Sequence, residues 1–151
     1  MKRIAFVGSL TLLLAVALAP AAPAQGQRIG QIKTAAGEAF VVRGGARLPA
    51  KVGDPVYESD VIESGAAPGS AIGLSLIDNS VFSTGPETQV ALSQFRFNSG
   101  NSQGEMLAEL KKGSLSVVSG DITHTTPGAM KIKTPTAILG VSGTTFAVKV
   151  Y

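Results

Sequence analysis

The chain has 151 residues, 13 basic and 10 acidic, with one histidine, no tryptophan and no cysteine. The missing cysteines exclude disulfides, zinc–thiolate centres, a thiol nucleophile and a lipid-modified N-terminal cysteine. The net charge of +3 gives little support to nucleic-acid binding, because the cations are scattered and no basic stripe carries interleaved aromatics.

The first segment reads as a secretory leader. Lys2 and Arg3 are followed by 16 uncharged residues from Ile4 to Ala19, then Pro20. Ala22 and Ala24 place small residues where a signal peptidase pocket needs them, so cleavage is expected between Ala24 and Gln25. The rival reading is an uncleaved anchor, but a spanning helix needs about 20 consecutive apolar residues. Contact with a membrane is therefore expected only through the leader before it is cut. Without Lys2 and Arg3, 11 basic residues face 10 acidic ones, so most of the apparent basicity belongs to the leader.

The mature region, 25–151, is long enough for one domain with its own core. Residues 25–36 are assigned to an N-terminal stub and first strand, with Gln25 to Arg28 expected to be disordered. Beyond them, glycines recur at short intervals between stretches rich in Val, Ile, Leu, Thr and Phe. Ile72, Leu74 and Leu76 alternate with Ala71, Gly73 and Ser75. Val90 and Leu92 keep that period, while Phe95 and Phe97 fall out of phase, which predicts a bulge or a corner near Ser93–Gln94. Asn98 to Gly104 reads as a polar, mobile loop. Glu105 to Lys112 fits either a short helix or a strand. Leu115 and Val117 alternate again, as do Met130 and Ile132, and Phe146, Val148 and Val150. The expected fold is all-β, as a sandwich, a barrel or an irregular solenoid of short strands.

Candidate chemistry is sparse. His124 stands alone beside a turn and reads as a surface or strand-end histidine. Asp54, Glu58, Asp60 and Glu63 lie within ten residues but lack a calcium-loop pattern, so turn and strand-edge roles are expected. There is no Gly-x-Ser-x-Gly elbow and no phosphate-binding glycine loop. No catalytic, cofactor or metal residue is assigned.

The order of motifs from Gly37 to Val150 resembles the FecR domain family, named after an iron-dicitrate regulator of the bacterial envelope. The pieces are Gly37 to Arg43, Val52-Gly53-Asp54-Pro55 running to Asp60-Val61-Ile62, Leu74 to Ser80 with Asp78, and Thr84-Gly85-Pro86. They continue with Lys112-Gly113-Ser114 and with Lys133-Thr134-Pro135-Thr136-Ala137 through Gly140, Gly143, Thr144 and Phe146 to Val148. Read as residues, these are structural: Gly53–Asp54 and Asp78 form turns, Pro135 ends a strand, and Gly140 and Gly143 permit a reversal before the Phe146 strand. The resemblance implies a solenoid-like stack of short strands over 37–151, with a β-sandwich as the alternative, preceded by a signal-peptide helix over 1–24. It also implies a non-enzymatic, periplasmic or secreted protein-binding or signalling module of the envelope, with another envelope protein as its partner; the alternative is a structural or adhesive component. Ser142 stands where the family commonly has Arg. With the leader opening at Met1, no anti-sigma segment is expected, so direct transcriptional regulation is not implied. The chain also stops soon after the Phe146 strand, as a minimal or shortened version would.

Overall fold

The computed structural model describes residues 26–143 and 145–151. The leader, with Ala22 and Ala24, lies outside the described residues, as does Thr144. Among the described residues, no helix is long and apolar enough to cross a membrane.

Among the described residues, twelve strands and one helical turn follow in order: β1 (Arg28–Ala36), β2 (Ala39–Arg43), β3 (Ala46–Pro49), β4 (Pro55–Tyr57), β5 (Val61–Ser64) and β6 (Ala71–Leu76). After them come β7 (Val81–Thr84), β8 (Gln89–Asn98), β9 (Gln103–Val118), α1 (Asp121–Thr125), β10 (Met130–Lys133), β11 (Ile138–Val141) and β12 (Thr145–Val150). The all-β expectation holds, in the form of one curled open sheet. Its order is β3-β2-β5-β8-β9-β7-β6-β1-β4, with β10 and β12 also on β9, and β11 on β10.

The 16-residue β9 is the spine of this sheet. Its first part pairs with β8 on one side and, in parallel, with β10. Its second part pairs with β7 and β12. Gly113 marks the change of neighbours: its φ is +86°, and an added Cβ would lie 2.3 Å from Thr88 Oγ1. Only glycine combines that dihedral with so close a neighbour. Because β9 serves both parts of the sheet, their inward residues meet in one apolar cluster. Ile29, Ile32, Ile72, Leu74, Phe82, Leu115 and Val117 join Val41, Ile62, Val90, Leu92, Phe95, Leu110, Met130 and Ile132 there.

The alternating segments behave as their period requires. Ile72, Leu74 and Leu76 are buried, and Phe146, Val148 and Val150 pack against the core. The phase slip in β8 is a bulge, with register lost between Ala91 and Gln94. Its backbone groups are used: Ser59 N–H donates to Leu92 C=O at 2.8 Å, and Leu92 N–H to Asp60 C=O at 2.9 Å.

Three expectations need correction. Arg28 is not part of a loose stub; it opens β1 opposite Tyr57, and Gln27 C=O accepts from Glu58 N–H at 2.8 Å. Completely buried Ile29 and Ile32 hold that strand between β6 and β4. Asn98 to Gly104 is not one long loop, since Asn98 pairs with Gln103 and Phe97 with Gly104. The turn between them is fixed by Asn98 Oδ1 accepting from Gly100 N–H and Asn101 Oδ1 from Gln103 N–H. Finally, Gly140 does not make a reversal: it sits within β11 opposite Lys131, while Gly143, at φ +62°, provides the turn into β12.

Candidate functional site

Asp60 is the most enclosed carboxylate of the cluster noted in the sequence. Because Val42 pairs with Val61, the next positions bring Arg43 beside Asp60. Arg43 grips it with two contacts, Nε to Oδ1 at 2.8 Å and a terminal nitrogen to Oδ2 at 2.7 Å. Tyr57 N–H also donates to Oδ2 at 2.8 Å. The same Arg43 nitrogen reaches Pro55 C=O at 3.2 Å, and the guanidinium lies 4.5 Å from the Tyr57 ring centre. The Asp60 side chain is 1% exposed and that of Arg43 25%. The hydrogen bond to Asp60 raises the Arg43 pKa above its ordinary value, against the lowering effect of burial. This is a bidentate clamp in which the charge and both oxygens of Asp60 are used internally.

The other three carboxylates point to separate tasks. Asp54 Oδ2 accepts from Lys51 N–H at 3.0 Å and closes the turn at Gly53, whose φ is +92°. Glu58 Oε2 accepts from Phe95 N–H beside the β8 bulge, at 2.9 Å. Glu63 bridges Arg47 at 3.1 Å and Gln89 at 2.9 Å. They do not converge on a common point, and among the described residues no group of three His, Asp or Glu could hold a metal ion.

Asp78 forms a second polar node. It is completely buried, with Oδ1 accepting from Ser80 N–H at 3.1 Å and Oδ2 from Ser80 Oγ at 2.6 Å. Ser80 Oγ in turn accepts from Gly120 N–H, and Asp78 C=O accepts from Asp121 N–H at 2.7 Å. The turn between β6 and β7 is thereby fastened to the exit of β9. A third node lies at the Gly113 bend. Thr88 Oγ1 accepts from Ser114 N–H at 3.0 Å, Thr88 N–H donates to Ser64 Oγ at 3.2 Å, and Ser64 Oγ donates to Gly85 C=O.

The remaining motif residues are spread along the C-terminal part. Thr134 and Pro135 occupy the turn between β10 and β11, where Thr134 N–H donates to Ala137 C=O at 2.8 Å. Phe146 lies opposite Val117, half-buried on the core, and Ser142 is exposed in the turn that contains Gly143. His124 is an exposed residue of α1, 3.9 Å from Asp121. Two surface clefts, of about 440 and 350 Å³, share Gly104 and Glu105. Glu105 is paired there with exposed Arg96, and no second carboxylate faces it in either cleft.

Sequence reasoning missed the partner of Asp60. Arg43 was visible, but 17 residues separate it from Asp60, and only the register of β2 on β5 joins them. A carboxylate followed directly by the strand residues Val61 and Ile62 is the signal that a cation was needed.

The model of the family described as FecR protein matches residues 60–151. The chain belongs to the FecR family. This places it among signalling-related envelope proteins. No curated protein and no solved structure matches the chain. The FecR match has a counterpart in the sheet. On the main path, β5, β8, β9, β7 and β6 all lie within the matched segment and are contiguous. The four strands before Asp60 flank them, β3 and β2 on one side and β1 and β4 on the other. The Asp60–Arg43 clamp therefore joins the first matched residue of the FecR segment to one of its flanks.

Proposed function

We propose that this FecR-family protein is a non-enzymatic, exported module of the bacterial cell envelope that binds another protein and takes part in signalling. The family match carries this reading, because it covers the central strands on which the rest of the sheet is built. The leader pattern of Lys2, Arg3, the apolar run and Ala22-Pro23-Ala24 supports export. Binding is favoured over acid–base chemistry because Asp60 is neutralised by Arg43 and the neighbouring carboxylates serve separate backbone and side-chain contacts.

Two measurements test the proposal. Mass spectrometry of protein recovered from the periplasm or medium of cells expressing the whole chain should give a product beginning at Gln25. A product retaining Met1 in the inner membrane would refute the exported form. Affinity capture with the recovered protein from envelope extracts should yield one stoichiometric protein partner. Recovery of polymeric wall material alone would replace the proposal with a structural or adhesive role. An activity abolished by replacing Asp54, with folding intact, would overturn the non-enzymatic part.

A further inference from the structure

The sheet gathers lysines that lie apart in the chain. On β10, exposed Lys131 and Lys133 alternate with completely buried Met130 and Ile132. On β9, Leu107, Glu109 and Lys111 alternate in the same way with buried Met106, Ala108 and Leu110. Register sets Leu107 beside Lys131 and Glu109 beside Lys133, with Ile138 of β11 on the far side of Lys133. Alternation puts all of these side chains on the outer face of the sheet. Lys111 and Lys133 also line one cleft of about 140 Å³ with Pro135. Three lysines therefore surround one acid. Glu109 reaches Lys133 at 3.4 Å, and Glu105, the next acid along β9, is engaged by Arg96 and Gln94. All ten acidic residues lie within the described part of the chain, and none bridges Lys111 or Lys131. The face also carries Ile138, 65% exposed. Elsewhere in 25–151 the balance is reversed, with eight of the 11 cations against nine of the ten acids.

We propose that this face docks an extended acidic segment of a partner protein. Carboxylates on alternate residues of the segment meet Lys131 and Lys133, Lys111 extends the basic surface, and an apolar residue covers Ile138. The proposal deepens the protein-binding reading and rests on it for the identity of the occupant. Charge and spacing select that occupant. Side chains two residues apart on a strand are about 6.6 Å apart, which is also the repeat of alternate side chains in any extended peptide. Glu109, among the three lysines, opposes an unbroken anionic surface such as a lipid membrane or a nucleic-acid backbone. A peptide can set a neutral residue against Glu109 and keep its carboxylates for the lysines. Each exposed ion pair is weak, so recognition depends on several carboxylates in the right spacing.

The test is an NMR titration of protein recovered from full-chain expression with a short capped peptide alternating Asp with Leu. Amide shifts should move along β9, β10 and β11, with a Kd on the order of 10⁻³ M at low salt. Raising NaCl from about 20 to about 300 mM should weaken binding several-fold. The same peptide with Asn for Asp should not bind, and one with its Asp residues in a single block should bind several-fold more weakly. K111E/K131E, which leaves the Lys133–Glu109 pair in place, should weaken binding by at least about tenfold. K33E/K51E makes the same change in net charge at exposed sites on β1 and before β4, and should leave binding unchanged. Glu109→Gln should tighten binding several-fold. Circular dichroism checks the fold of each variant, and the shifts of the unmodified protein give a readout that needs none. The proposal is overturned by an absence of binding, by shifts elsewhere on the sheet, or by binding indifferent to K111E/K131E. It is also overturned if vesicles of phosphatidylcholine and phosphatidylglycerol bind through these lysines and the peptide does not. Those results leave the protein-binding reading to the capture experiment; peptide binding by a chain that captures no envelope protein would overturn that reading alone.

Discussion

A carboxylate taken out of water is costly unless a cation and further donors replace its solvation. At Asp60, Arg43 and Tyr57 N–H supply that replacement. Removing one member strands the other, so Asp60→Ala should cost about 3 kcal/mol, the lower end of the usual range because Arg43 keeps some solvent contact. Arg47→Ala is the control. The Arg47–Glu63 pair is more exposed, and its loss, with the stacking of Arg47 on Phe40, should cost within about 1 kcal/mol. Urea denaturation of both variants checks the contrast; equal losses would show that the Asp60 clamp contributes no more than a surface pair. The pH dependence has a definite sign. The Arg43 pKa is raised on folding, so its contribution is fully present below the unfolded value and is lost only as pH rises through the folded one. Between pH 7 and 10, Asp60→Ala should therefore lie a constant interval below the unmodified protein. At this scale the sequence was partly readable: Asp54 and Asp78 were visible as turn residues, but the buried network of Asp78 continues through the Ser80–Gly120 bond, whose partners lie 40 residues apart and meet only through sheet order.

Elements were more legible where burial enforces a period of two. The β8 bulge could be located from the phase of Val90, Leu92, Phe95 and Phe97 alone, because one extra residue must move every later side chain to the other face. The length of β9 could not. Glu105 to Lys112 admits a helical reading, and Gly113 looks like a terminator. In the sheet, Gly113 bends the strand without ending it, and Ser64, Thr88 and Ser114 hold the bend. Gly113→Ala should therefore be severe. The positive φ alone costs about 1 kcal/mol, and collision with the Thr88 backbone and hydroxyl should raise the loss to about 2–3 kcal/mol. Gly128→Ala separates the two effects: φ there is +76°, but nothing lies within 4 Å of the added Cβ, so about 1 kcal/mol is expected. Thermal or urea unfolding measures both. A Gly113 variant no worse than the Gly128 one would mean that the bend relaxes freely. The helical turn α1 escaped the sequence because five residues are too few to establish a period, although Ile122 is completely buried.

Across the whole molecule, the family-matched segment and the folding unit do not coincide. The match begins at Asp60, whereas the sheet begins at Arg28 and places its first four strands on both flanks of the matched centre. Those strands supply Ile29, Ile32, Val41 and Val56 to the core, each at most 4% exposed. At about 1.5 kcal/mol or more for each buried side chain, their loss removes at least about 6 kcal/mol, comparable with the whole stability of an ordinary domain. Cutting before Asp60 also takes away Arg43, leaving a buried carboxylate without its cation, and strips the neighbours from β5 and β6. Newly uncovered edges of that kind favour aggregation. A fragment of residues 60–151 should therefore lack a cooperative urea transition and show poor amide dispersion by NMR. A fragment of residues 26–151 should unfold in one transition, because it retains both flanks and the entire apolar cluster. Were the shorter fragment to unfold as cooperatively as the longer, the flanking strands would be additions to a self-sufficient FecR core, and the Arg43–Asp60 clamp would serve only to attach them.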